Sequence, residues 1–174
     1  MNSRIIVTYK SAYGATETYA KWIAEALDAQ LAEIGAVKPG NLENCEVVIH
    51  GGGLYAGGIA GIKAAAKIPC NHLIVFTVGL ADPETTDYGP IIGKLSPDLS
   101  AGAKFFHLRG GIDYKRLGTV HKAMMAMMKR SILKKGKAEY DSEDELFLET
   151  YGGQIDFMDR ESIAPLVNYV QNVL

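Results

Sequence analysis

The stretch Ser11-Ala12-Tyr13-Gly14-Ala15-Thr16 combines residue types and spacing suited to binding chemistry. It follows an apolar run and precedes a strongly periodic segment, so it reads as a loop between a strand and a helix. Backbone N–H groups at a helix start lack intrahelical partners, and the positive end of the helix dipole favours an anion. Ser11 and Thr16 add hydroxyl donors without adding charge, and Gly14 lets the backbone approach a bound group closely. A phosphate is the group such a loop suits. Neither Gly-Lys-Ser/Thr nor Gly-x-Gly-x-x-Gly occurs, which argues against nucleoside triphosphates and the usual dinucleotide fingerprint.

The elements that must position this loop follow from hydrophobic patterning. Arg4 to Tyr9 is β-branched and mostly apolar, as expected of a strand covered on both faces of a parallel sheet. Tyr19, Trp22, Ile23, Ala26 and Leu27 form one helical stripe, with Thr16 as the expected N-cap and Glu17 suited to the first-turn dipole. Further strands are expected at Ala29 to Ile34, Glu46 to His50, His72 to Val78 and Ala103 to Leu108, with a loop around Pro39 and Gly40. The glycine density from Gly51 to Gly58 predicts irregular structure, followed by a short helix from Ile59 to Lys67 that Pro69 stops. A weak helix is expected toward Leu95, and a final one runs from Ser162 to Val173 with Ile163, Leu166, Val167 and Val170 as its buried stripe. Strands alternating with helices imply a three-layer α/β domain with a parallel sheet.

The segment from Asp113 to about Thr150 exceeds what a crossover needs. Its centre, Val120 to Leu133, reads as a helix on which Met124, Met127, Met128 and Leu133 share a face, with Lys122, Lys129 and Arg130 in solvent and Gly136 as the stop. No acidic residue lies between Lys115 and Lys137, and an acidic block from Glu139 to Glu149 follows. Such a segment can cover the sheet, meet an acidic protein or an anionic lipid surface, or close over a site.

Other chemistry finds little support. His50, His72, His107 and His121 show no metal-ligand spacing, so no metal is expected, and Cys45 and Cys70 suggest neither a disulfide framework nor a zinc site. Asp82, Glu84 and Asp87 read as solvated loop carboxylates. A net charge of −2 and the absence of a recognition motif argue against nucleic acid. No apolar run spans a bilayer and the N-terminus lacks a secretory signal, so a cytoplasmic protein is expected.

The pattern Ser11-x-Tyr13-Gly14-x-Thr16 after the first strand resembles the flavodoxin phosphate loop Ser/Thr-x-Thr-Gly-x-Thr, with Tyr13 in place of the commonest threonine. The resemblance implies flavin mononucleotide (FMN) as cofactor and a flavodoxin-like sandwich whose five-stranded parallel sheet has the order 2-1-3-4-5. It assigns Ser11, Ala12, Tyr13, Gly14, Ala15 and Thr16 to the phosphate. It assigns Gly53, Leu54, Tyr55 and Ala56 to a second loop, where Tyr55 stacks on the isoalloxazine. Thr77, Val78, Gly79 and Leu80 form a third loop that offers backbone groups to the pyrimidine edge.

Within that family the chain is most similar to the flavodoxin-domain group containing the menaquinone-dependent protoporphyrinogen oxidases. The similarity rests on Leu54-Tyr55, Asp113-Tyr114-Lys115-Arg116, the basic Met-rich insertion and the returning Ile155-Asp156-Phe157-Met158-Asp159. It implies one flavodoxin-like domain over residues 1–174, with an insertion at 113–150 that interrupts the fifth strand and lies near the flavin. Gln154 to Met158 then completes that strand. The function implied is an FMN-dependent oxidoreductase passing hydride or electrons to or from a substrate or quinone, with no catalytic side chain assigned. The alternative is an electron carrier without its own substrate. Expected partners are a redox protein, a quinone or another small molecule, with peripheral membrane contact through the basic insertion.

Overall fold

The computed structural model describes residues 2–37, 45–55 and 57–174; the loop expected at Pro39 and Gly40, and Ala56 of the second loop, lie outside the described residues. In chain order the first half comprises β1 (Asn2–Lys10), α1 (Ala15–Ala26), β2 (Ala29–Glu33), β3 (Val47–Tyr55), β4 (Gly58–Ile59) and α2 (Ile62–Ala65). There follow β5 (His72–Gly79), α3 (Gly89–Ile92), α4 (Pro97–Gly102) and β6 (Ala103–Arg109). The remainder is β7 (Gly111–Asp113), α5 (Thr119–Lys134), α6 (Ser142–Thr150), β8 (Gln154–Asp156) and α7 (Ala164–Val173).

The long strands pair in parallel in the order β2-β1-β3-β5-β6, the flavodoxin-like order expected once the short β4 is set aside as an antiparallel partner of β3. Each apolar run is continuous because alternate side chains serve two cores. Ile5, Val7, Val47, Ile49, Ile74, Phe76 and Val78 face α1 and α7, packing on Tyr19, Ile23, Leu166 and Val170. Ile6 and Val48 face the other side, with Ile34, Ala65 and Ile68; Val75 packs there with Ile59 and Ile62. Helices on both faces make the three layers.

Three expectations are corrected. Gly51 to Gly53 are regular strand: Gly51 pairs with Tyr9 and Phe76, and Gly53 with Val78. The glycines answer crowding, since a Cβ on Gly51 would overlap the Phe76 ring and one on Gly52 would come within 2.5 Å of Ile59. Ile59 accordingly belongs to β4, and the helix after it shrinks to α2.

Second, Gln154 to Met158 does not extend the fifth strand of the main sheet. Residues Gln154–Asp156 pair antiparallel with Gly111–Asp113 in a separate ribbon, so the insertion leaves at the carboxyl end of β6 and returns beside its own exit. The fully buried Tyr19 fastens that junction: its hydroxyl donates to Arg109 O (2.7 Å) and accepts from Asp159 N (3.1 Å).

Third, the expected apolar face of α5 points outward. Met127, Met128 and Leu133 are exposed and Ile132 is the buried residue, because the helix packs on α6 and Tyr151, with Lys129 over the Tyr151 ring at 4.1 Å. Gly136 does not adopt a left-handed stop; α5 ends in an extended Lys135. The acidic block is partly structural: Asp141 and Asp144 form a reciprocal capping box on α6, and Lys135 pairs with Asp144 at 2.6 Å. No described helix is long and apolar enough to cross a membrane.

Candidate functional site

The parallel order puts the carboxyl ends of β1, β3 and β5 side by side, with Lys10 opposite Gly52 and Gly53 opposite Val78. The loops leaving these ends therefore share one sheet edge, where open α/β sheets bind ligands.

In the first loop, Gly14 is the N-cap of α1, in a left-handed conformation (φ 100°) that a residue with a Cβ rarely adopts. Thr16 is not the cap, as expected from sequence, but the second helical residue, and it is buried. Gly14 N donates to Ser11 Oγ (3.0 Å), which closes the turn. No side chain caps the helix, and the space beyond Gly14 is open, with no atom within 4 Å of an added Cβ. First-turn N–H groups left without a side-chain cap at a helix start are the donor set a phosphate needs. Ala12 is exposed, while Tyr13 and Ala15 are half-buried.

The second loop is a hairpin. Leu54 and Tyr55 pair with Ile59 and Gly58. A buried histidine holds it from beneath: His50 accepts from Thr8 Oγ1 at Nδ1 (3.0 Å) and donates from Nε2 to Ala60 O (2.9 Å), a tautomer assigned from these partners. Burial lowers the pKa of that imidazole. The Tyr55 ring folds back over Gly53, whose missing side chain makes room for it, and stays half-exposed. Burial raises its phenol pKa, and the nearby Tyr13 phenol adds to the shift.

In the third loop, Thr77 and Val78 point inward and are buried. Val78 belongs to the core, and Thr77 Oγ1 bonds His107 Nδ1 at 2.6 Å. The Tyr88 ring stacks on His107 at 3.5 Å, and burial depresses that imidazole to about 4. Gly79 and Leu80 are half-buried at the edge, and their carbonyls accept from Gly110 N (2.6 Å) and Arg109 Nε (3.0 Å). Arg109 also pairs with Asp82 (3.5 Å) and Glu143 (3.0 Å), so Asp82 is not a merely solvated carboxylate but a tie between this loop and the insertion.

His121, which lies outside the three loops, completes the arrangement with Tyr13. Tyr13 Oη accepts from Gly118 N (3.1 Å) and shares a 2.5 Å hydrogen bond with His121 Nδ1. The His121 ring meets the Tyr13 ring edge-on at 5.2 Å and the Tyr55 ring at 4.8 Å. The place of His121 inside a basic helix carries no sequence signal that its ring turns back toward the sheet. A cavity of about 210 Å³ is lined by Tyr13, Gly14 and Ala15 together with Gly111, Arg116 and Asp156. Cys45 and Cys70 are free thiols whose pKa values are raised by burial, and no group of metal-ligating side chains gathers among the described residues.

Solved structures similar to this chain include a flavodoxin from the domain Archaea (15% identity, 60% of this chain and 82% of that one, TM-score 0.45). The flavodoxin, WrbA-like protein from Agrobacterium tumefaciens is 23% identical over 57% of this chain and 74% of its own, with a TM-score of 0.41. Rubredoxin oxygen:oxidoreductase from the anaerobe Desulfovibrio gigas is 16% identical over 62% of this chain and 30% of its own, with a TM-score of 0.46. No match is found among curated protein sequences. The Flavodoxin domain family matches residues 6–141, which takes in all three loops and most of the insertion. The chain therefore belongs to the Flavodoxin domain family, and its membership implies a flavin cofactor.

Proposed function

We propose that the protein is an FMN-dependent oxidoreductase that passes hydride or electrons between a reductant and a quinone or other small acceptor. The observation that carries the reading is the uncapped start of α1 behind Gly14, on the same sheet edge as the half-exposed Tyr55 ring. The first offers N–H donors to a phosphate, and the second offers an aromatic face to an isoalloxazine. Residues Ser11 to Thr16 would hold the phosphate. Gly53 to Tyr55 would flank the ring, and Gly79 and Leu80 would meet its polar edge. Bound FMN supplies the redox chemistry, and the chain supplies position, electrostatics and exclusion of water. The resemblance of the basic, Met-rich insertion to that of the protoporphyrinogen-oxidase-containing group favours an enzyme over a simple shuttle.

A second reading has its own observation. Val120, Met127 and Met128 on α5 are exposed, beside the site and among basic side chains, a surface suited to a docking redox protein. An electron carrier would reduce such a partner without turning over quinones.

The phosphate loop gives the test. FMN and riboflavin differ by the phosphate alone, and several charge-assisted N–H bonds at ~1 to 3 kcal/mol each make FMN the tighter ligand by about 100-fold or more. Titration of the flavin-free protein with each compound, followed by fluorescence quenching, measures the ratio. Equal affinities would remove the phosphate site from the reading.

A further inference from the structure

We propose that His121 is a flavin-binding residue supplied by the insertion: with Tyr55 it holds the isoalloxazine, while Tyr13 latches it to the phosphate loop. The proposal rests on the flavin reading above and adds a residue that lies outside the three sheet-edge loops. One imidazole reaches two of those loops at once, touching the Tyr13 ring at 5.2 Å and the Tyr55 ring at 4.8 Å. Whatever seats between the phosphate loop and the Tyr55 ring therefore meets His121.

The latch and the contact are separate chemistry. Tyr13 Oη accepts from Gly118 N, which leaves its own proton to donate to His121 Nδ1 and the ring's proton on Nε2. These bonds fix where α5 begins. The helix has no side-chain cap, and Ile132, its buried residue, lies near the far end, so the Tyr13 phenol is a principal tie of the near end to the sheet. The His121–Tyr55 contact is different: the two rings are tilted by 43° and share no hydrogen bond. A tilted ring pair gives up little when a larger aromatic replaces one partner. Tyr13 itself fits this division of labour. It stands where the family most often has threonine, and its longer side chain reaches Gly118, 105 residues further along the chain.

The full-length protein carries the test, with FMN dissociation constant, release rate and visible circular dichroism of bound FMN as readouts. His121→Ala is expected to weaken FMN about tenfold, the scale of one lost aromatic contact, and to change the visible dichroism. His121→Phe keeps a ring but loses the bond from Tyr13, and is expected to bind FMN more tightly than His121→Ala while releasing it faster than the parent. Tyr13→Phe keeps its ring but cuts both hydrogen bonds, and is expected to release FMN faster. Three variants that show parental far-ultraviolet dichroism and bind and release FMN as the parent does would overturn the proposal. A parent protein that takes up no FMN would overturn the flavin reading itself, and the unsubstituted protein alone reveals that.

Discussion

At Gly51 one hydrogen in place of a methyl decides how closely β3 meets its neighbour. The Phe76 ring occupies the space a Cβ would need, so Gly51→Ala must displace a fully buried aromatic. Overpacking of this kind costs about 1 to 3 kcal/mol, and the loss is expected as a lowered urea midpoint. Phe76→Leu in the same chain should recover part of it, because the two changes share one space. The histidines make a second residue-scale expectation. His107 is depressed to about 4 and His50 is also lowered, both by burial. Between pH 6.5 and about 4 the unfolded chain binds protons there that the folded chain does not, so the stability these rings contribute is full above the unfolded value and falls as pH drops. Denaturation at pH 7 and pH 5 should show the loss, and His107→Gln should reduce it; an unchanged pH dependence in that variant would contradict the assignment. The glycines of β3 point away from a strand in the sequence for a related reason. Glycine disfavours strands by propensity, and only the tertiary neighbours Phe76, Ile59 and Tyr55 reveal why it is required.

Among the elements, β1, β5 and α1 are legible in the sequence because each carries its burial in its own residues: Ile5 to Val7 alternates between two cores, and Tyr19, Ile23 and Leu27 trace one buried stripe. The ends of the insertion were not legible in this way. Gln154 to Asp156 has the composition of a strand, but its partner is Gly111 to Asp113, a choice set by the Tyr19 hydroxyl bridging Arg109 and Asp159. That bridge gives the element-scale expectation. Tyr19→Phe leaves a carbonyl and an N–H without their partner and should lower stability by about 1 to 3 kcal/mol. Hydrogen exchange should then speed up in β7 and β8 before it does in β3 or β5; uniform acceleration would mean that the hydroxyl does not hold the insertion's base.

Over the whole molecule, the site divides into a part the sequence announces and a part it conceals. Ser11 to Thr16 is local in the chain, so its turn, its glycine and its helix start could be read together; only the cap moved, from Thr16 to Gly14. The contact of His121 with Tyr13 and Tyr55 joins segments far apart in sequence, and no local pattern encodes it. The same holds for Arg109, which links Leu80 and Asp82 of the third loop to Glu143 on α6. The central claim is that these parts surround a flavin, and the most direct measurement is the visible spectrum of the purified protein, with the released chromophore identified after denaturation. The expected result is the absorption of an oxidised flavin, from FMN at one per chain or taken up when FMN is added. A colourless protein that refuses added FMN would contradict it.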